Sequence, residues 1–463
     1  MAGGASAELA VVVLAAGQGT RMHSARAKVL HEVAGRPLLE WSLVAAESLD
    51  PERLVVVVGR DGERVRERFR GRARFAEQRE QRGTGHAALA AREALLDFRG
   101  EVLVLYGDTP LLRGETLREL RRLRAGTGAA LALLSSPEPL PGRVVRDEAG
   151  RVARIVEVTD ATPEELAIRE GNTGVYLLDA GDLFRWLERV DDRNRQGELY
   201  LTDIVGLAVA EGRPVEALRL EDPEEALGVN TRAELARAGA ALRRRIADAL
   251  MAGGVTLVDP ERTYIDAGVQ IGRDTVVEPG CVIQGPTVIG EGVHIKAHTV
   301  IESSVVEDGV VLGPSAHLRP GTHLGRGSRI GNFVEVKNSR LGPGVKADHL
   351  AYIGDADVGA RSSFGCGSIV VNYSGIEKSR TTVEEDVFVG CNVNLVAPVH
   401  LERGAYVAAG STVTSRVPPG ALAIARARQR NIEGWRQRQR AKQLAKRKEP
   451  GEPTGGGGAD AES

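Results

Sequence analysis

Cysteine is scarce. The three in 463 residues, Cys281, Cys366 and Cys391, form neither an even framework nor a metal-ligand spacing. That excludes a disulfide scaffold and a thiolate metal site and fits a reducing, cytoplasmic setting. By default all three read as small packed residues. Charge of one sign is missing too: 61 Lys and Arg stand against 63 Asp and Glu, for a net charge of −2. The chain as a whole therefore offers nucleic acid or an acidic partner no electrostatic handle. Long apolar runs are absent. Leu9–Ala16 is too short to span a bilayer and leads into glycines, and no basic segment with an apolar core and cleavage site precedes it. Neither secretion nor membrane insertion is expected. What remains, 42% apolar and 27% charged, is a soluble globular composition long enough for two domains.

Glycine is abundant, at 56 residues, and its placement gives the strongest signal. Steps of six residues connect Ile271, Val277, Ile283, Ile289, Ile295 and Ile301, then, after a one-residue slip, Val306, Leu312, Leu318, Leu324, Ile330 and Val336. Further slips lead to Leu341, Ala347 and Ile353, then Val358, Phe364 and Val370, and a last run spans Val383, Val389, Leu395, Leu401, Val407 and Val413. No α-helix keeps a period of six on one face. With Gly, Pro and β-branched residues between the rungs, the pattern predicts a hexapeptide-repeat parallel β-helix.

The N-terminal half reads differently. Apolar runs at Leu9–Leu14, Leu54–Val58, Val102–Leu105, Ala129–Leu134, Arg154–Val158 and Thr173–Leu178 predict strands, with helical patterns such as Leu38–Leu49 and His86–Leu96 between them. Alternating strands and helices imply a parallel α/β sheet whose site lies at the carboxyl ends of the strands. Ala233–Met251 predicts a linking helix closed by Gly253-Gly254. Residues 1–232, 233–253 and 254–463 are thus expected to be a catalytic domain, a linker and a coil domain. Arg426–Lys448 carries ten Lys or Arg and one Glu around Trp435, and Glu449–Ser463 reads as a disordered tail.

Two stretches suggest chemistry. In Leu14-Ala15-Ala16-Gly17-Gln18-Gly19-Thr20-Arg21-Met22, with Lys28 beyond, glycines after a strand let backbone N–H groups face an anion, and Arg21 and Lys28 add positive charge. Taken alone, such a loop equally suits a tight turn. It lacks the Gly-Lys-Ser/Thr of a Walker loop and the third glycine of a dinucleotide fingerprint. On the coil, Arg319, Lys337 and His349 depart from the Val/Gly pattern, and Asn372–Lys378 interrupts the ladder. Each cation singly suits a solvated face and the histidine a structural role, but an insertion in a solenoid is where function tends to sit.

The full spacing of the glycine loop, with Lys28-Val29-Leu30, resembles that of sugar-1-phosphate nucleotidyltransferases. Gly331–Lys337 and Lys346–Asp355 are similar to the wording of the bacterial bifunctional enzymes that make UDP-N-acetylglucosamine, and the resemblance runs from about Leu9 to Trp435. It implies a Rossmann-like mixed sheet followed by a left-handed parallel β-helix, assembled as a homotrimer. By the resemblance, Leu14, Ala15, Ala16, Gly17, Lys28, Gln78, Gly83, Thr84, Tyr106 and Gly107 face UTP, and Gly142, Glu157 and Asn172 face the sugar. Asp108 and Asn230 would ligate Mg²⁺, which prefers few protein oxygens. Arg21 and Lys28 would neutralise charge as a sugar phosphate attacks the α-phosphorus of UTP.

On the coil the resemblance makes His349 the general base for attack of a glucosamine amine on acetyl-CoA. Arg319, Lys337, Tyr352, Ser363 and Lys378 would hold the sugar phosphate, and Cys366, Asn372, Tyr373, Cys391, Ala409 and Arg426 the acetyl-CoA. The sequence departs from the family at Ser363 (usually Asn), Cys366 (often Ala), Ala27 (usually Pro), Leu140-Pro141 (commonly Gly-Tyr) and Ser374 (usually Asp), and none of these removes a charged catalytic group. Two other readings keep the coil as an oligomerising or regulatory domain, or as a trimerisation scaffold. Arg319, Lys337, His349 and the Asn372 loop weigh against both, because a scaffold needs none of them.

Overall fold

The computed structural model describes residues 8–59 and 62–448; Glu449–Ser463, expected to be disordered, lies outside the described residues. Leu9–Ala15 (β1) is apolar throughout because both its faces are covered. Ala10, Val12 and Leu14 enter one core, and Leu9, Val11 and Val13 the other. Around β1 lie Arg53–Val58 (β2), Arg74–Glu77 (β3), Glu101–Tyr106 (β4), Leu131–Ser136 (β5), Gly142–Arg146 (β6), Val152–Glu157 (β7), Gly171–Asp179 (β8) and Val215–Arg219 (β9). The order across the sheet is β9-β5-β8-β4-β1-β2-β3, with β6 joined to β8 and β7. The sheet is mixed, not parallel as the alternation of elements predicts, because β8 runs antiparallel to both β4 and β5.

Strands β3, β6 and β9 are short or half-exposed and carry too little apolar pattern to stand out in the sequence. Helices Leu38–Glu47 (α1), Thr84–Ala90 (α2), Gly114–Thr127 (α3) and Asp203–Ala210 (α4) cover the sheet. The pattern expected as one helix from His86 to Leu96 divides into α2 and a 3₁₀ turn at Glu93–Leu95.

Arg232–Ala252 (α5) starts at a capping box in which Thr231 and Glu234 exchange hydrogen bonds. Its first half buries Ala238, Ala241 and Leu242 against Val33, Leu38 and Val229, and its second half places Ala247 in the coil core.

The coil follows as three parallel sheets of ten, nine and eight strands among the described residues. It has the architecture of a left-handed β-helix. Every rung residue of the six-residue ladder is buried except the half-buried Ile271, and together they form one continuous core. Rungs stack in register, as in Ile283, Ile301, Leu318, Val336 and Ile353 along the second face. The slips share one place: all fall at the corner between the second and third faces, at Ser303, Asn338 and Asp355, which take a positive φ (43°, 46° and 50°) and where the turn is one residue shorter. The Asn372 loop leaves from that same corner, between Val371 and Thr381. Corner hydroxyls satisfy nearby carbonyls, for example Thr287 Oγ1 to Gln284 O and Thr299 Oγ1 to Lys296 O, both at 2.7 Å. The basic segment is helical from Trp435 to Lys448 (α6), which its composition did not signal.

Candidate active sites

The first site opens at the carboxyl ends of β1 and β4, where Gly107 N donates to Leu14 O at 2.9 Å. A cavity of ≈ 290 Å³ is lined by Leu14–Gly17, Lys28, Gln78, Gly83–Thr84, Tyr106 and Asp108. Gly19 has φ 63°, and a Cβ there would stand 2.6 Å from Lys28 Cβ, so glycine is what lets Lys28 pass beneath the loop. At Gly17 a Cβ would meet nothing within 4 Å, so no crowding demands glycine there. The buried Lys28 ammonium forms an ion pair with Asp108 and donates to Asn230 Oδ1 at 2.9 Å. Asp108 and Asn230 are held together by Val229 N donating to Asp108 O at 2.9 Å. Two hard oxygens, one charged, thus converge on a single cation. That donor set fits Mg²⁺, and no group of three or more His, Cys, Asp or Glu side chains that could hold a metal occurs among the described residues.

Gln78 Nε2 donates to Gly83 O at 3.0 Å, and Leu201 N donates to Thr84 Oγ1 at 3.0 Å. Gly142 pairs with Glu157 on one side and Asn172 on the other, so three residues spread over 30 positions share one patch of β6, β7 and β8. Asn172 Nδ2 donates to the Tyr176 hydroxyl at 2.7 Å. Burial pushes the Glu157 carboxyl up, a Thr202 hydrogen bond opposes the rise, and the charges of Asp203 and Asp160 add to it. Burial, with the carboxylates of Glu157 and Asp108, also raises the Tyr106 phenol. Glycine at 174 (φ +80°) is required there, because a Cβ would overlap Tyr106 Cε2 at 2.1 Å. Arg21 is exposed on a 3₁₀ turn, Thr20–Met22, and does not line the cavity.

The coil residues divide between two corners. At the irregular corner Arg319 Nη1 pairs with Glu335 Oε1 at 2.8 Å. Lys378 is pushed down by a hydrogen bond and charge repulsion from Lys337. Burial would raise Asp355, but hydrogen bonds from Asn338 and Asn372 and the charges of Lys337 and Lys378 outweigh it and hold the carboxyl low. Asn372 also reaches the Tyr352 hydroxyl at 3.4 Å, and the Tyr373 hydroxyl folds back onto Gly375 O at 2.7 Å.

At the corner after the first face, the register Ala347–Phe364–Val389–Val407 stacks the residues two positions on, His349, Cys366, Cys391 and Ala409, one per coil. Arg426 follows one coil further, with its Cδ 3.8 Å from a Cβ built on Gly410. Ser363 lies on the first face beside Phe388, away from the irregular corner. The exposed His349 ring has no hydrogen-bond partner among the described residues and lines a concavity of ≈ 220 Å³ with Lys296, Arg329 and Asn332. Cys366 and Cys391 are exposed, not packed as expected; only Cys281 is buried. Within one chain, then, the residues expected to bind sugar phosphate and those expected to bind acetyl-CoA do not form one closed pocket.

Sequence reading missed Gln81, whose Nε2 donates to Ala16 O at 2.8 Å and ties the loop to the cavity wall. It also missed Asp355, the anchor of Asn372, although its place at a ladder slip was a signal. Asn332, paired with His349 across the coil and with a buried Oδ1 lacking a partner, was hidden by its position in an ordinary rung.

Comparison with known proteins agrees in both halves. A family model described as a MobA-like NTP transferase domain matches residues 11–195. One described as bacterial transferase hexapeptide (six repeats) matches 268–303 and 303–338, and a hexapeptide repeat of succinyl-transferase matches 380–415. A curated relative named Bifunctional protein GlmU from Pelobacter propionicus is 49% identical, over 94% of this chain and 99% of its own. The protein of the same name from Geobacter metallireducens is 46% identical over 94% and 99%, and that from a Geobacillus species 46% over 92% and 96%.

Proposed function

Because the chain belongs to the family of bifunctional GlmU proteins, we propose that it is a two-reaction enzyme of UDP-N-acetylglucosamine synthesis. It transfers acetyl from acetyl-CoA to glucosamine 1-phosphate and then UMP from UTP to N-acetylglucosamine 1-phosphate, releasing pyrophosphate. The convergence of Lys28, Asp108 and Asn230 beneath the glycine loop carries the nucleotidyl reading. Mg²⁺ held by Asp108 and Asn230 would supply charge neutralisation on the phosphates. The loop amides and Lys28 orient UTP so that a sugar phosphate oxygen attacks the α-phosphorus in line, with Arg21 closing from the exposed turn. Gln78, Gly83 and Thr84 would read the base, and Gly142, Glu157 and Asn172 the sugar.

On the coil, His349 takes the proton from the glucosamine amine as the nitrogen attacks the thioester carbonyl and CoA thiolate leaves. Its exposure and lack of an internal partner suit that role. Arg319, Lys337 and Lys378 neutralise the sugar phosphate with Tyr352 beside it. Cys366, Cys391 and Ala409 offer backbone to acetyl-CoA, and Arg426 with the basic α6 would meet its phosphates. The division of these residues between two edges of one prism favours a homotrimer, in which one chain's edge faces its neighbour's. Substrates of this kind place the enzyme in the cytoplasm, and no helix among the described residues is long and apolar enough to cross a membrane.

A coupled assay tests both halves: UTP, acetyl-CoA and glucosamine 1-phosphate, with and without Mg²⁺. Release of CoA with no pyrophosphate even in Mg²⁺, or of neither product, would overturn the assignment.

A further inference from the structure

Cys366 and Cys391 are exposed and unpaired, and they occupy equivalent places on successive coils. Phe364 is in register with Val389, and each cysteine stands two residues on, in Phe364-Gly365-Cys366-Gly367 and Val389-Gly390-Cys391-Asn392. Two hydrogen bonds lock the corners together: Gly365 N donates to Val389 O at 2.7 Å, and Asn392 N to Cys366 O at 2.8 Å. Glycine precedes both cysteines and follows Cys366, so no side chain stands between the backbones. A Cβ on Gly365 would lie only 2.6 Å from Cys391 N. Equivalent residues on neighbouring strands are about 4.8 Å apart, inside the ~4.4–6.8 Å between Cα atoms that a disulfide spans. The remaining thiol, Cys281, is buried in the coil core and donates to Lys296 O at 3.3 Å.

We propose that Cys366 and Cys391 are a thiol–disulfide pair, oxidised by hydroperoxides, whose closure blocks acetyl-CoA binding to the coil. The blocking role rests on the acetyl-CoA reading of this corner; the pairing does not. In the first step a cysteine thiolate attacks the peroxide, the O–O bond breaks, and a sulfenic acid and water (or an alcohol) form. In the second, the other thiol displaces the sulfenic hydroxyl as water, so two S–H bonds are exchanged for one S–S bond and the peroxide takes two electrons and two protons. Closing the bond turns both side chains onto each other and ties adjacent rungs across the surface where acetyl-CoA would lie. Acetyl-CoA bound over this corner would shield both thiols and should slow the oxidation.

The test uses the full chain treated with hydrogen peroxide, alkylated with iodoacetamide and digested with trypsin, which separates the two cysteines into peptides 362–378 and 381–403. A dithiothreitol-sensitive link between these peptides is expected, absent from Cys366→Ala and Cys391→Ala and slowed by acetyl-CoA. Acetyl transfer should fall by about tenfold or more and recover on reduction, while pyrophosphate release is unchanged. Each variant is compared with its own reduced rate, and neither should lose acetyl transfer on peroxide treatment. The pairing is overturned if both thiols stay alkylatable under peroxide that oxidises free glutathione, or if each is oxidised singly with no link. The blocking role is overturned if the link forms and acetyl transfer is unaffected. A reduced chain without acetyl transfer would sink the acetyl-CoA reading itself, and the peptide link would still decide the pairing.

Discussion

The Lys28 ammonium and the Asp108 carboxylate, 80 residues apart in sequence, form a largely buried ion pair, and the same nitrogen donates to Asn230 Oδ1 at 2.9 Å. A cation on a 3₁₀ turn, a carboxylate at a strand end and an amide at the foot of α5 are therefore one electrostatic unit. Lys28→Ala is expected to lower UMP transfer by about 10²–10³-fold, the scale of removing a positioned charge. Acetyl transfer should stay within about twofold. Measuring pyrophosphate and CoA release side by side checks both; equal loss of the two would point to misfolding.

His349→Ala should do the converse. Loss of a positioned general base costs roughly 10²–10⁴-fold, so CoA release should collapse while pyrophosphate release from UTP and N-acetylglucosamine 1-phosphate persists. Wild-type CoA release by the variant would end the general-base assignment.

Both sites were legible to different depths. The coil was readable because a rung every six residues leaves no choice of face, and even its slips in the ladder correspond to the left-handed turns at Ser303, Asn338 and Asp355. The nucleotide-site residues were found through a spacing, not through the glycines themselves, since Gly17 meets no crowding at all. The antiparallel β8 was not visible: its apolar run looks the same in either direction, and only the mate across the sheet fixes its sense. Gln81 and Asn332 act through backbone or cross-coil contacts that carry no local pattern. The exposure of Cys366 and Cys391 escaped because small residues at a solenoid corner read alike whether packed or open.

Acid should loosen the coil through its cross-coil carboxylates. Glu307 is held low by hydrogen bonds from His323 and from the Arg326 amide, and Glu278 by the Ala297 amide and by His294. Both bind a proton less readily folded than unfolded, so the unfolded chain holds more protons in that window and stability rises with pH. This stability is present above the ordinary Glu value of about 4.3 and is lost as pH falls through the folded values. In the double variant Glu278→Gln, Glu307→Gln the urea midpoint should depend less steeply on pH across this window, and an unchanged slope would refute the assignment.

Asp203 has the opposite sign. Burial, with the charges of Asp191 and Asp160, raises its carboxyl to about 6. Between its ordinary value and that one the folded state holds the extra proton, so stability falls as pH rises through the window. Asp203→Asn should therefore melt a few degrees above the parent at slightly alkaline pH, with the difference shrinking toward pH 5 and below. Differential scanning at the two pH values would show it.

Helix α5 has one further consequence. It seals one end of the coil, with Ala247 in the core and the Arg243 guanidinium over the Tyr264 ring at 4.8 Å. The other end stops at Leu422–Ala423, with no rung beyond it among the described residues. A stack of neighbour-dependent coils with one end anchored and one end free comes apart directionally. Amide protection should decline from the helix toward the last rung, and heat should erase the His349 chemistry while the Lys28 cleft still holds its shape.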